Sequence, residues 1–363
     1  MGRLRGWIRT LAVGRLRKLT LGWVAVAWLA GLVRRSRAAA KDVPLSPIRA
    51  GWYVGADFLE RRGLVDREAP APNGELDDLA EFDSDTFDPE AVQPSVRRFY
   101  EETADYEMDY RVTWSFGFRT GAALAGRLTS RIEQLNLPNW GSGWRPLDSW
   151  FVAVDVPGDP REEVRGWVRT TTVRGDAAGP RAPDDDREAV FVALYGAYET
   201  EEERLVNIAV PLPGGNLSTV LRARNVDDGI EWTTDGGGDP GLYLATPLGP
   251  FRLPMSQRFV VWDENAGATS KDDGDGDGEG DSDGDGDGDG EGDSDGDGEG
   301  DSDGEGDSDG ASSRAGDGAS DGAIDDNTSA SAAESDLRAR HEMAVFGRRF
   351  LTVEYRMERA AGE

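Results

Sequence analysis

Apolar and polar residues alternate most regularly between positions 106 and 118 of this 363-residue chain. The residues between the apolar positions are charged, hydroxyl-bearing or glycine. A period of two predicts an antiparallel strand with one aromatic face over a core and one face toward water. The apolar positions are Tyr106, Met108, Tyr110, Val112, Trp114, Phe116 and Phe118.

Further strand-like segments follow at short intervals, separated by turn sequences such as Pro-Gly-Gly-Asn at 213–216. Such short links leave no room for crossover helices, so they favour an antiparallel meander. The predicted strands lie near 149–155, 163–173, 188–198, 204–210, 217–226, 229–234, 241–245, 257–263, 340–346 and 349–357.

Three apolar stripes with helical spacing predict helices outside the strands. One follows Ser95 with Val96, Phe99, Tyr100 and Thr103 on one face, and one follows Pro47 with Ile48, Trp52, Ala56 and Leu59. The third has Leu124, Leu128, Ile132 and Leu135 and ends before Pro138.

The N-terminal segment 1–41 carries ten Arg or Lys residues and no acid. A basic amphipathic stripe is followed by the apolar run 19–33, which is shorter than the ~20 residues of a spanning helix. We expect a membrane-associated helix, with a helix packed on the domain or a signal peptide as alternatives, although three arginines argue against signal cleavage. The expected membrane contacts are Trp7, Ile8, Leu11, Trp23 and Trp28.

Residues 272–310 contain 20 carboxylates, no basic residue and no apolar side chain. Such a segment cannot bury enough apolar surface to fold, and strand-like sequence resumes at 340, so the pattern predicts a disordered insertion. An EF-hand loop beginning at Asp281 would need an acid at its twelfth position, where Gly292 stands, so no metal site is expected.

These patterns divide the chain into five parts: a basic helical segment 1–41, a helix and acidic linker 42–91, a β-rich domain 92–265, the insertion 266–337, and a hairpin 338–363 that completes the β-rich domain. The predicted fold class is α+β, with an antiparallel β-barrel or strongly curved sheet and a few N-terminal helices.

The chain has a net charge of −30, no cysteine, one histidine, and three lysines against 37 arginines. High acidity with scarce lysine resembles the proteomes of salt-in halophilic archaea, and an acidic mesophilic protein with a charged linker is the alternative. The missing cysteines exclude thiolate catalysis, zinc–cysteine sites and iron–sulfur clusters. Nucleic acid is not expected as a partner, because the acidic remainder would repel phosphates.

Few motifs carry recognisable chemistry. The glycine-rich stretch 236–241 is followed by strand-like sequence instead of the helix that a pyrophosphate site needs. His341 shares a strand face with Met343 and Val345, which favours a core or rim histidine over a catalytic one. The proline-rich segment 247–254 is expected to form a barrel cap, or the lid of an apolar pocket.

The sequence therefore favours a non-catalytic, membrane-associated module, on the cytoplasmic side, that binds an apolar small molecule or a lipid-like ligand and contacts membrane lipid through its N-terminus. A carboxylate-dependent, hydrolase-like enzyme and a membrane-anchored scaffold without a pocket remain alternatives. No catalytic residue, metal or cofactor is assigned. The ligand-pocket candidates are Tyr106, Met108, Tyr110, Trp114, Phe116, Phe251 and His341.

Overall fold

Antiparallel strands dominate the computed structural model, which describes residues 26–138, 143–172, 187–227, 229–265 and 337–360. The strands are β1 Tyr106–Trp114, β2 Arg145–Ala153, β3 Glu162–Thr172, β4 Arg187–Glu199, β5 Arg204–Leu212, β6 Gly215–Val226, β7 Gly229–Thr233, β8 Gly241–Thr246, β9 Gly249–Arg252, β10 Met255–Asp263, β11 Leu337–Val345 and β12 Arg348–Arg359.

The described helices are few. They are α1 (residues 26–38), α2 Phe58–Arg61, α3 Pro94–Glu101 and α4 Arg119–Ile132, with 3₁₀ turns at Leu79–Phe82, Pro89–Ala91 and Thr103–Asp105.

Ten of the strands close into a barrel, in the order β5-β4-β3-β2-β1-β12-β11-β10-β7-β6, and β6 pairs back onto β5. The hairpin of β8 and β9 pairs with β6 outside this ring. The predicted fold class, α+β with an antiparallel barrel, is confirmed. The last two strands are part of the ring, because β11 pairs with β10 while β12 pairs with β1.

The antiparallel order gives the barrel two distinct ends. At the mouth end, β1 stops at Trp114, β12 begins at Arg348 and β10 begins at Met255. The turns between β5 and β6 and between β8 and β9 lie at the same end, since the strand directions alternate around the ring. At the opposite end, here called the plug end, β10 stops at Asp263 and β11 begins at Leu337.

Residues 74–105 pack beneath the barrel and close the plug end. Leu79, Phe82 and Phe99 are buried in the same cluster as the inward side chains of the strands. Phe82 meets the ring of Trp232 edge-on at 5.2 Å, which joins the plug to β7. The acidic linker predicted within 42–91 is therefore a packed element, because its acids alternate with apolar residues that reach the core.

The helix predicted after Pro47 is wrong. Only the single turn α2 is helical, and residues 48–56 run along the outside of the barrel. Ile48, Val54 and Leu59 are buried there against Val168 and other outward-facing strand residues. The apolar stripe is explained by this outer packing.

Two other predicted elements differ in extent. The strand predicted to reach position 118 ends at Trp114, because the chain turns at 115–118 with Gly117 at φ +91°. The proline-rich segment predicted as a cap or lid contributes the short strand β9.

The proposed membrane contacts Trp7, Ile8, Leu11 and Trp23 lie outside the described residues, as does nearly all of the predicted insertion, 266–336. Trp28 lies on α1 and is 68% exposed. Among the described residues, no helix combines the length and apolar character needed to cross a bilayer. The five-part domain division stays a prediction.

A candidate ligand cavity inside the barrel

The interior of the barrel contains a cavity of about 360 Å³ between the plug and helix α4. Its walls are mostly apolar side chains contributed by strands from all around the ring. Wall residues include Leu147, Val190, Ile208, Leu221, Met255, Phe259, Met343, Leu351 and Val353. Closure of the sheet explains the space, because a ten-stranded ring is wider than one whose interior side chains just fill it.

Helix α4 covers the cavity at the mouth end with its smallest side chains. Ala122, Ala125, Gly126 and Thr129 all line the cavity and follow a helical spacing of three, four and seven residues. Leu124 and Leu128, expected on the buried face, are 68% and 62% exposed. The helix therefore turns its leucines outward and buries Ala122, while Ala125 lies at an exposed edge of the cavity.

The base of the cavity is polar, although the walls are not. Arg169 is buried and projects from β3, with its guanidinium carbon 3.7 Å from the ring centroid of Trp167. The nearest described carboxylate partner is Glu75, whose Oε1 lies 3.8 Å from Arg169 Nη2. This separation exceeds hydrogen-bond distance, so the two groups interact through their charges. Each also has a tyrosine partner, since Tyr195 hydrogen-bonds to Glu75 and Tyr355 to Arg169.

Glu75 reaches the interior because the plug brings its backbone close to α3. The Glu75 amide donates to Thr103 Oγ1, and the carbonyl of Gly74 accepts from Arg165 Nη1 at 3.0 Å. A Cβ on residue 74 would lie 2.3 Å from the carbonyl oxygen of Tyr100, so only glycine fits there. This close approach places the carboxylate at the base of the cavity.

The environment of Glu75 disfavours its charge. Burial raises the pKa of Glu75 to about 7, although the charge of Arg169 and a hydrogen bond from Tyr195 act in the opposite direction. The carboxyl group therefore changes protonation state near neutral pH, and its charge decides whether the base of the cavity is neutral or positive.

His341, on β11, also lines the cavity. Its Nε2 is 3.3 Å from Gln257 Oε1, and its ring meets Phe259 edge-on at 5.6 Å. Burial, and secondarily the charge of Arg169, lowers the pKa of His341 to about 4. His341 is thus neutral at neutral pH and can offer a hydrogen bond without adding charge.

The structure places the seven predicted pocket residues in different surroundings. Tyr110, Trp114 and His341 line the cavity. Tyr106 and Met108 are buried in the core outside the lining, with Met108 Sδ 4.0 Å from Arg169 Nη2.

The remaining two candidates lie away from the cavity lining. Phe116 is 99% exposed, because β1 ends before it. Phe251 lies on the outer hairpin, where the guanidinium of Arg37 packs 4.9 Å from its ring centroid.

Sequence reasoning did not single out Glu75 or Arg169. Glu75 is one of 70 acidic residues, and it was assigned to a linker. Arg169 did carry a signal, because it shares strand parity with Trp167, as an inward-facing residue would. Among the described residues, no group of three or more histidine, aspartate or glutamate side chains is arranged to hold a metal ion.

The chain is similar to one curated protein of a bacterium. It is 31% identical over 213 residues to the "Uncharacterized membrane protein YndJ" of Bacillus subtilis (strain 168), a match that covers 57% of this chain. The match spans only 36% of that protein's length. No protein-family model matches the chain. No solved structure matches it significantly either.

Proposed function

We propose that the barrel is a binding module for a single-chain, lipid-like amphiphile with an anionic head group, and that it works at a membrane surface. The observation that carries this proposal is the cavity of about 360 Å³, with apolar walls and a buried arginine at its base. Its volume lies within the ~300–1,000 Å³ of small-molecule sites.

The two chemical regions of the cavity fit the two parts of such a ligand. The apolar walls would bury an alkyl chain at about 25 cal/mol per Å² of surface removed from water. Arg169 would meet the anionic head at the base, and a charge-assisted hydrogen bond is stronger than a neutral one. A purely apolar ligand would leave the charge of Arg169 without this partner.

Membrane association is supported by the basic and apolar N-terminal sequence and by the name of the Bacillus subtilis relative, which is called a membrane protein. We further propose the cytoplasmic side, where anionic lipids give the leaflet a negative surface potential that attracts basic segments. Halophilic character, suggested by composition alone, remains part of the proposal.

A titration with matched ligands tests the assignment of the head group. A long-chain alkylsulfonate and the alcohol of the same chain length are added to the wild type and to the double variant Arg169→Met with Glu75→Gln. Removing both charges together avoids leaving Glu75 unpaired in the interior. We expect the double variant to lose tenfold or more in affinity for the sulfonate and little for the alcohol.

An equal loss for both ligands, in a variant with wild-type circular dichroism, would contradict the anionic head group. Failure of the wild type to bind either ligand would contradict the cavity function itself. Arg169→Lys is the matched control, because it keeps the charge and should retain part of the sulfonate preference.

A carboxylate-dependent enzyme is the second candidate, and the raised pKa of Glu75 favours it. In that case Glu75→Gln would keep ligand affinity and abolish turnover of an ester or amide ligand. The scaffold without a pocket is less well supported. The interior of such a scaffold should be filled by side chains, whereas this barrel contains a cavity of about 360 Å³.

A further inference from the structure

The exposed apolar side chains of the described residues are concentrated toward the mouth end of the barrel. Twelve large apolar residues are exposed, and seven of them lie on segments at that end. The seven are Trp52, Tyr53, Phe116, Leu124, Leu128, Leu248 and Phe346. The other five lie on α1: Val26, Trp28, Leu29, Leu32 and Val33.

Backbone pairing supports this placement. Phe116 follows the end of β1, Phe346 forms the turn between β11 and β12, and Leu248 forms the turn between β8 and β9. Trp52 and Tyr53 lie between a bridge from Ala50 to Pro213 and a hydrogen bond from Val54 N to the last residue of α4.

Helix α1 is fixed to the same hairpin. Ser36 Oγ donates to the carbonyl of Arg252 at 2.7 Å, and Arg37 donates to the carbonyl of Leu248. Its exposed tryptophan and leucines therefore belong to an element attached to the β8–β9 hairpin.

Basic residues are frequent at the mouth end, although Glu133 follows α4 and Glu342 pairs with Arg349. Helix α4 carries Arg119, Arg127 and Arg131 and no acid, and the turn between β11 and β12 is followed by Arg348 and Arg349. At the plug end, the last residue of β4 and the turn after it hold four acids within 199–203. The segment 266–336 connects β10 to β11 at the plug end, and residues 272–337 carry a net charge of −25.

From this asymmetry we infer that the mouth end, formed by α4 and the turns around it, docks on the surface of an anionic lipid bilayer. The outer face of α4 has the composition of an interfacial helix, since Leu124 and Leu128 alternate with Arg127 and Arg131. Arginines near an anionic lipid surface are attracted to it electrostatically. In this orientation Asp263 and Leu337, the strand ends that flank the acidic segment in the sequence, face away from the lipid.

The inference does not require a ligand in the cavity, so it can fail while the proposed binding function stands. If both are correct, helix α4 lies between the cavity and the bilayer.

Site-specific labelling of the full chain tests the orientation. Because the chain has no native cysteine, each introduced cysteine is the single labelling site. An environment-sensitive fluorophore is attached to Leu128→Cys, Phe346→Cys or, as plug-end control, the exposed Thr86→Cys. Phosphatidylcholine vesicles with and without phosphatidylglycerol are then added. We expect a blue shift and quenching by brominated lipid at positions 128 and 346, with anionic vesicles, and neither at position 86.

Charge substitutions provide the second measurement. Leu124→Asp with Leu128→Asp should lower binding to anionic vesicles about tenfold. The matched control, Thr86→Asp with Ala91→Asp, adds the same charge to exposed positions of the plug end and should change binding little.

Three results would overturn the inference. One is vesicle binding with no spectral change at positions 128 and 346, which would assign binding to another segment. Another is an equal effect of the two charge pairs. The third is a concentration-dependent blue shift without vesicles, which would show that a second copy of the chain covers this surface.

Discussion

At the scale of single residues, the chemistry of the interior depends on Glu75 and Arg169. Two charged groups are taken out of water at the base of an apolar cavity, and their separation of 3.8 Å leaves the guanidinium able to accept another anion. The carboxyl group competes with such a ligand only when it is ionised. With a pKa of about 7 for Glu75, binding of the proposed ligand would depend on pH.

This coupling predicts the pH dependence of affinity for an alkylsulfonate, whose own charge is constant. Below pH 7 Glu75 is protonated and the base is positive, whereas above pH 7 its ionised carboxylate repels the ligand. Affinity should therefore fall about tenfold between pH 6 and pH 8, as expected for one group with this pKa. Isothermal titration calorimetry measures it directly.

Glu75→Gln should bind with the low-pH affinity at every pH in this range. The alcohol of the same chain length should show little pH dependence in either protein. An equally steep fall in the variant would assign the pH effect to another group.

At the scale of elements, a buried glutamine side chain helps to hold α4 over the cavity. Gln134, just after the helix, donates from Nε2 to the carbonyls of Val192 and Pro211 at 2.9 and 3.0 Å. Its Oε1 accepts from the amide of Val192 at 2.9 Å. The end of α4 is thereby joined to both β4 and β5.

Gln134→Leu should lower the free energy of unfolding by about 2–4 kcal/mol, because it leaves buried amide and carbonyl groups without partners. Chemical denaturation provides the measurement. Ser130→Ala, on the exposed side of the same helix, should stay within about 0.5 kcal/mol of the wild type. A Gln134→Leu variant as stable as that control would show that the contact does not hold the helix.

The last two strands give a second prediction at this scale. Because β11 and β12 fill the gap between β10 and β1, a protease cut within 272–310 should leave the two fragments associated. They should migrate together on native size-exclusion chromatography and separate only in denaturant. Release of the C-terminal fragment from a folded remainder would contradict this pairing.

The alternating pattern of the sequence predicted β1 and β12 because their successive residues alternate between buried and more exposed positions. Strands such as β5 and β7 are buried at nearly every position, and the turn sequences at their ends indicated them instead. The alternating pattern did not predict β9, a short strand of the outer hairpin, because Pro250 within it is read as a turn or loop residue. The α4 leucines were assigned to the buried face, since periodicity identifies an apolar stripe without saying which medium covers it. Glu75 could not be recognised, because only the tertiary position of the plug distinguishes it from the solvated acids nearby.

At the scale of the whole molecule, we expect the formal charge of −30 to make stability depend on salt. At molar concentrations the screening length falls to about 3 Å, so repulsion among surface carboxylates is strongly reduced. Tm should rise steeply between tenths of molar and molar KCl, as followed by circular dichroism. A flat response would remove the inference of a halophilic protein.

The central claim for the whole molecule is that the barrel cavity holds the chain of a lipid-like ligand. Photoaffinity labelling with a sulfonate that carries a diazirine near the end of its alkyl chain tests this most directly. We predict saturable labelling of one site per barrel, with the modified peptides mapping to wall residues such as Phe259, Met343 and Leu351, and competition by unlabelled sulfonate. Labelling confined to the exposed surfaces of α1 and α4, or labelling that does not saturate, would contradict it.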